Sequence, residues 1–411
     1  MDLSSPEALI GVVNRSMTKP FDKPIYVTRP WLPPLEEFQK GLAEIWASAL
    51  LTNNGPVVQR FREELAEYCE TENLCLFANG TLALQIALQG MGITGDVITT
   101  PYTFVATVHS LFWNKVRPVF VDIEPEHYTL DPDAVEAAIT PWTSAILAVH
   151  VYGHPCRLEE LERIARKHNL KLLYDAAHAF GVRVNGRPIG QFGDLSMFSF
   201  HATKLFHSVE GGMLTFGDAT LRRRFDYLKN FGFENETEVV MPGTNAKMNE
   251  LQALMGRLVL KGMREIVEKR CQLASMYRSE LSGIPGIRPA APAEPGVEYN
   301  HAYFPIEVDE TEFGISRDDL YNGLKEWNVF ARRYFYPLVT DFPCYRGMVR
   351  ENELPVARRV ASRIITLPIF SDLALPDVVH ICHIIRHIHE RRRARPAGNR
   401  KGVPKIAVGP A

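Results

Sequence analysis

At 411 residues, 46% of them hydrophobic, the chain is long enough for about two to three domains and a large buried core. Its 46 Lys and Arg nearly balance 48 Asp and Glu, and a formal net charge of −2 excludes whole-surface attraction to nucleic acid or to anionic lipid. Six scattered cysteines (Cys69, Cys75, Cys156, Cys271, Cys344, Cys382) without a CxxC pair read as reduced thiols of a soluble, cytoplasmic protein. There is no apolar run of about 18 residues and no basic, long-cored leader, so neither a membrane span nor a signal peptide is expected.

Residues 1–24 show no periodicity and read as a loosely held N-terminal arm. Arg29-Pro30-Trp31-Leu32-Pro33-Pro34 is a rigid lead into a helical stretch from Leu35 to Leu50, which Asn53-Asn54-Gly55-Pro56 terminates as a turn. From there to Phe216, short apolar runs at Cys75–Phe77, Val97–Thr99, Pro118–Val121, Ala145–Val149, Leu170–Tyr174, Leu195–Phe200 and Met213–Phe216 predict strands. Helix-length stretches at Thr81–Gln89, Phe104–Trp113, Pro132–Ile139 and Leu158–His168 separate most of them. That alternation predicts a large α/β domain over residues 25–250, with a mostly parallel sheet between helices. A long helix from Asn249 to Leu281 and a Pro/Gly/Ala-rich connector at Gly283–Gly296 open a smaller α+β domain over residues 251–393. It continues with a strand at Ala302–Val308, a helix at Arg317–Trp327 and a last helix from Pro376. Residues 394–411 read as a basic, disordered tail; the last 21 residues carry seven basic side chains and no acid. Trp113 and Trp142 are expected in the core.

Ligands of an open α/β sheet gather at the carboxyl ends of its parallel strands. At those ends stand Asn79-Gly80-Thr81, Asp175 and Ser199, the last followed by His201-Ala202-Thr203-Lys204 and Glu210-Gly211-Gly212. Small residues at a strand-to-helix turn let backbone N–H groups approach a phosphate, although an ordinary capped turn looks the same. An acid closing an apolar strand must be solvated, capped, paired or ligand-bound. A phosphate clamp, a carboxylate and a lysine together suit pyridoxal 5′-phosphate. The lysine holds it as an imine, and the carboxylate keeps its ring nitrogen protonated so that the ring acts as an electron sink. Phe104 is the candidate ring to cover it.

The segments Phe77-Ala-Asn-Gly-Thr-Leu-Ala-Leu, Thr100-Pro-Tyr-Thr-Phe-Val-Ala-Thr, Pro118-Val-Phe-Val-Asp, Ala148-Val-His-Val-Tyr-Gly, Asp175-Ala-Ala-His-Ala-Phe-Gly, Phe198-Ser-Phe-His-Ala-Thr-Lys and Glu210-Gly-Gly resemble, in order and spacing, the DegT/DnrJ/StrS-type sugar aminotransferases. The resemblance runs from about Tyr26 to Arg393 and implies the aspartate-aminotransferase-like architecture of pyridoxal-phosphate fold type I. It implies Lys204 as the cofactor-bearing, proton-shuttling lysine, Asp175 as the partner of the ring nitrogen and Phe104 as the stacking ring. It implies Gly80, Thr81 and Ser199 as phosphate contacts. His178 stands near the phenolic oxygen, where many members carry Gln. It implies Asn245 as a contact to the cofactor phosphate of the partner subunit, and with it a homodimer with shared sites.

Within the family, Thr28-Arg-Pro-Trp-Leu-Pro-Pro, Leu51-Thr-Asn-Asn-Gly-Pro and His201-Ala-Thr-Lys are most similar to the branch that forms dTDP-4-amino-4,6-dideoxyglucose. That implies a ping-pong exchange in which L-glutamate leaves pyridoxamine 5′-phosphate and a dTDP-linked ketosugar collects the amino group, a step of deoxyamino-sugar biosynthesis. Arg29, Lys247, Tyr334 and Tyr336, with Arg332 and Arg333, are the substrate candidates. The alternatives are a 3-ketosugar aminotransferase and a pyridoxal-phosphate-dependent sugar dehydratase; Lys204 speaks against the latter, whose members carry His there. His380, His383 and His387 share one helical face, but without HExxH they read as a wet surface, and no metal is expected. The Arg391–Arg393 cluster reads as a solvated helix end, so no nucleic-acid or membrane partner is expected.

Overall fold

The structure is a computed structural model that describes residues 19–292, 294–349 and 353–393. Seven short strands make the central sheet: β1 (Leu74–Phe77), β2 (Asp96–Thr99), β3 (Arg117–Phe120), β4 (Thr143–Val149), β5 (Lys171–Asp175), β6 (Leu195–Ser199) and β7 (Gly212–Phe216). They lie in the order β1-β7-β6-β5-β4-β2-β3. Only β7 runs against its neighbours; the other pairings are parallel. β1 and β2 are buried along their whole length, as strands covered on both faces must be.

The covering helices follow from sequence pattern. The helix Leu158–His168 buries Leu158, Leu161, Ile164 and Ala165 along one stripe. Glu159 and Glu160 occupy its first turn and Arg166, Lys167 and His168 its last, in accord with the helix dipole, before Asn169 ends it in the left-handed region (φ 54°). Each fully buried Leu or Ile of this kind contributes about 1.5–3 kcal/mol. The helix Gly80–Gly90 is apolar nearly all round because it is wedged between the sheet and the helix Leu221–Leu228, and it buries seven of its residues.

A second core lies in the smaller part. An antiparallel sheet of Ile287–Pro289, Phe304–Val308 and Ile364–Leu367 packs against the helices Met263–Leu281, Arg317–Lys325 and Leu375–Arg393. The strand expected inside residues 302–308 forms at Phe304–Val308, and the connector before it supplies an extra strand at Ile287–Pro289. The long helix expected over 249–281 is two helices, Glu250–Lys261 and Met263–Leu281, broken at Gly262. A Cβ at Gly262 would lie 2.7 Å from the Trp31 ring, so the junction is where the N-terminal segment crosses.

Residues 1–18 of the expected arm and the expected tail at 394–411 lie outside the described residues. The arm's described end is held: the Phe21 N–H donates to the Trp327 carbonyl, the Phe21 carbonyl accepts from Asn328, and its ring stacks on His380. Ile25–Tyr26 then pairs in parallel with Val329–Phe330. Trp113 and Trp142, expected in the core, are 78% and 76% exposed. One closes a helix and the other sits in the turn before β4, where its carbonyl, rather than its ring, is used by the Asp96 N–H. The three histidines of the last helix diverge to separate neighbours, His380 to Phe21, His383 to within 4.0 Å of Glu280 and His387 to the edge of Trp327. Among the described residues, no helix is long and apolar enough to cross a membrane.

Candidate active site

Strand register places the chemistry. Gly212 pairs with both Phe77 and Ser199, and Asp175 pairs with Met197 and Val149, so the ends of β1, β4, β5 and β6 share one edge of the sheet. On that edge Asp175 is buried, with 5% of its surface exposed. Thr107 Oγ1 donates to its Oδ2 at 2.7 Å and the Ala177 N–H to its Oδ1 at 3.1 Å, while Thr103 extends the hydroxyl chain to Thr107 at 2.8 Å. Burial pushes the Asp175 carboxyl up from the ordinary carboxylate range, against the opposing pull of those two donors and of Lys204.

Lys204 lies on the loop after β6, half-buried, with Nζ 3.5 Å from Tyr303 Oη. Burial pushes its ammonium below the ordinary lysine range, opposed by Asp175 and Tyr334. Both ionisable groups are thus driven toward neutrality by lost solvent, and each is the other's counter-charge. A cation placed against Asp175 would satisfy a carboxylate that its hydrogen bonds alone leave short of a full charge partner.

His178 closes the same small cavity as Ser199, Lys204 and Tyr303. The Tyr152 N–H donates to its Nδ1 at 3.1 Å, so the neutral ring carries its hydrogen on Nε2. Burial, and next the charge of Lys204, holds this imidazole well below its usual value. Tyr303 meets the ring edge-on at 4.8 Å and Phe335 lies parallel to it at 5.9 Å. Tyr152 itself sits at φ +58°, a conformation few non-glycine residues adopt, in the tight turn after β4. Its hydroxyl and that of Tyr102 both donate to the Tyr334 carbonyl, which ties the segment around 334 to the sheet edge.

The phosphate-clamp candidates line the next turn. Asn79 caps the helix Gly80–Gly90 by accepting from the Leu82 N–H at 2.9 Å, one of the first-turn N–H groups that the helix itself cannot satisfy. A Cβ at Gly80 would come within 3.0 Å of the Ser199 Cβ, so these two residues meet only because position 80 has no side chain. Thr81 is exposed beside them. Buried carboxylate, half-buried lysine, donor imidazole and a helix N-terminus together fit pyridoxal 5′-phosphate, with Asp175 for its ring nitrogen and the 80–81 turn with Ser199 for its phosphate.

The remaining candidates stand apart from this floor. Phe104 precedes the helix Val105–Trp113 and is 59% exposed. Asn245 is exposed, on a segment whose backbone bridges to Asn230. Lys247 donates to Asn230 Oδ1 at 2.7 Å and lies over the Phe231 ring. It lines a cavity of about 690 Å3 with Arg62, Arg222 and Lys229. Tyr334 belongs to the floor, edge-on to Tyr303, but Tyr336 is drawn off under the guanidinium groups of Arg317 and Arg333. Arg29 is on the surface, 3.8 Å from Asp372. Sequence reasoning missed Thr107 and Tyr303. Thr107 carries a signal, a second threonine one helical turn after Thr103, whereas nothing local marks Tyr303.

The sequence signature of the DegT/DnrJ/EryC1/StrS aminotransferase family matches residues 35–386. The chain is similar to the dTDP-4-amino-4,6-dideoxy-D-glucose transaminase of Shigella dysenteriae, 45% identical over 367 residues that cover 89% of this chain and 100% of that one. It is 44% identical to its Escherichia coli counterpart over 369 residues, 89% of this chain and 98% of that one. Its fold is similar to the crystal structure of DesI in the presence of its TDP-sugar product, with a TM-score of 0.86 and 38% identity, over 91% of this chain and 95% of that one. By the extent of these matches and the order of its strand-end motifs, the chain belongs to the DegT/DnrJ/EryC1/StrS aminotransferase family.

Proposed function

We propose that this sugar aminotransferase uses pyridoxal 5′-phosphate, bound at Lys204, to move an amino group from L-glutamate to C4 of dTDP-4-keto-6-deoxyglucose, giving dTDP-4-amino-4,6-dideoxyglucose. The observation that carries the reading is the half-buried amine of Lys204 beside a fully buried carboxylate at the same strand edge. When bound, the cofactor supplies an aldehyde carbon that accepts and returns the amino group, and a ring that withdraws electrons. Asp175 holds positive charge on that ring. Lys204 Nζ, depressed toward its neutral form, accepts a proton from the donor's Cα and returns one to the sugar's keto-derived carbon. His178 Nε2–H presents a donor for the phenolic oxygen, and Gly80, Thr81 and Ser199 hold the phosphate. Lys247, Tyr334, Tyr336 and Arg29 are the candidates for the sugar nucleotide.

A homodimer with shared sites accounts for the exposed parts. Asn245 projects to solvent among Phe231, Phe233, Val239 and Val240, each between 41% and 56% exposed, and Phe104 is uncovered as well. A second copy placed over this face would cover those apolar side chains and bring Asn245 to the neighbouring phosphate. Six free cysteines support a reducing, cytoplasmic setting.

The test is direct. Purified enzyme given L-glutamate and dTDP-4-keto-6-deoxyglucose should form 2-oxoglutarate and the 4-amino sugar nucleotide in equal amounts. Turnover of the 3-keto isomer in preference to the 4-keto sugar would replace this reading with 3-amination, and release of water without amino transfer would replace it with a dehydratase.

A further inference from the structure

The turn after β4 and the loop after β5 meet at one buried amide. Asn300, just ahead of the strand Phe304–Val308, is fully buried. Its Nδ2 donates to the His178 carbonyl at 2.8 Å and to the Phe180 carbonyl at 3.0 Å, and its Oδ1 accepts from the Ala302 N–H at 3.0 Å. Two carbonyls at one end and an N–H at the other fit only this orientation of the amide, and they use both of its hydrogens. Gly153, at φ +96°, leaves the room: a Cβ there would stand 2.7 Å from Asn300 Oδ1 and 2.8 Å from the His178 carbonyl oxygen. The preceding residue, Tyr299, donates its hydroxyl to the Tyr152 carbonyl at 2.8 Å. Tyr152 in turn gives its N–H to His178 Nδ1 at 3.1 Å. Residues 299 and 300 thus hold both things that decide where the His178 ring points, its own peptide and the residue that fixes its tautomer. The segment is anchored from behind, because the buried Arg270 donates from Nη1 to the carbonyls of His301 and Ala302 at 3.2 and 3.1 Å.

We propose that Tyr299 and Asn300 are positioning residues for His178, keeping its Nε2–H directed at the phenolic oxygen of the cofactor. A ring held at one nitrogen alone still moves with its backbone. Tying down the carbonyl of His178 and that of Phe180, two residues on, removes this freedom. The same amide registers the loop against Tyr303, three residues further along. That ring meets His178 edge-on at 4.8 Å, and its hydroxyl lies 3.5 Å from Lys204 Nζ. One buried side chain therefore joins the loop that carries the imidazole to the segment that lines the other side of the amine.

This rests on the proposed place of His178 at the phenolic oxygen, and the experiment separates the two claims. Enzyme loaded with pyridoxal 5′-phosphate is titrated by absorbance, and the pH midpoint at which the lysine-bound cofactor loses its proton is compared among variants. A donor at the phenolic oxygen stabilises its anion, so in His178→Phe the midpoint is expected to rise by about one pH unit. Asn300→Leu removes the three hydrogen bonds without adding charge, and a rise of about half a unit or more is expected. Tyr299→Phe is expected to shift the midpoint in the same direction by less. Combining Asn300→Leu with His178→Phe should add nothing to His178→Phe alone, because both act on one hydrogen bond. An unmoved midpoint in His178→Phe would overturn the reading of His178 and the proposal with it. A shift in His178→Phe without one in Asn300→Leu, or shifts that add in the double variant, would overturn the proposal alone. Should Asn300→Leu fail to fold, a wild-type midpoint in Tyr299→Phe decides against it.

Discussion

The floor of the site and its rim are built differently. On the floor, Asp175, His178, Lys204 and Tyr303 meet groups of the same chain, through Thr107, the Ala177 and Tyr152 N–H groups, the Tyr303 hydroxyl and the edge-on contact of Tyr303 with His178. On the rim, Phe104 is 59% exposed and Asn245 is exposed on a segment whose backbone bridges to Asn230. On the proposed reading, one chain supplies the groups that would handle protons, whereas the proposed ring cover at Phe104 and the proposed phosphate contact at Asn245 stand open to solvent. The contrast teaches that the proposed acid–base groups are preorganised by contacts within one chain, whereas the proposed recognition groups await a second copy.

The sharpest way to break the contrast is at its centre. Lys204→Ala should lower amino transfer by about 10^4-fold or more, since both the covalent anchor and the proton carrier are lost, while the fold is retained by circular dichroism. Residual turnover within about tenfold of wild type would place the proton carrier elsewhere. Asp175→Asn keeps the shape and removes the charge. A loss of about 10^2- to 10^3-fold in kcat is expected, with weaker cofactor retention on gel filtration. A variant with normal kcat would mean that Asp175 is only a capping residue.

The rim should respond more gently and across subunits. Asn245→Ala should weaken pyridoxal 5′-phosphate binding by about tenfold, as loss of one hydrogen bond to an anion implies. Because the Asn is expected to serve the other copy's site, mixing Asn245→Ala with Lys204→Ala should rebuild one intact site per hybrid dimer, detectable as activity above that of either parent when pyridoxal 5′-phosphate is kept well below the dissociation constant of the Asn245→Ala variant. Absence of that recovery in a hybrid shown to form by native mass spectrometry would return Asn245 to its own subunit.

The smallest effect concerns the support beneath the floor. His150 is fully buried, stacks on Tyr174 at 4.5 Å and accepts the Cys156 N–H at Nδ1. Burial pulls its imidazole down to about 3. In the unfolded chain it takes a proton near its ordinary value of about 6.5, in the folded chain only much lower. The unfolded state therefore binds more protons over this window, and stability falls as pH drops from about 6.5 toward about 3. In His150→Gln the decline of thermal midpoint between pH 6.5 and 4.5 should be shallower; an equally steep decline would assign it to other groups.

Much of the floor was legible in the sequence, because an acid or a lysine that closes an apolar strand has few places to go. Asp175 ends β5 and the Ser199–Lys204 run follows from the end of β6, its parallel neighbour. The hidden parts come from distant sequence. Tyr303 is 99 positions beyond Lys204, outside every segment that marks the strand ends. Trp113 and Trp142 misled for the opposite reason: ring size argues for burial, but one ends a helix and the other sits in a turn, both at the surface. The break at Gly262 was equally invisible locally, since the Trp31 ring that demands it arrives from more than 200 positions upstream.

The most direct measurement of the central claim is chemical. Enzyme loaded with pyridoxal 5′-phosphate is reduced with borohydride, digested, and the labelled peptide mapped by mass spectrometry. The expected label is a single one, on the lysine of the His201-Ala202-Thr203-Lys204 segment. A label on another lysine, or an unlabelled protein, contradicts the account.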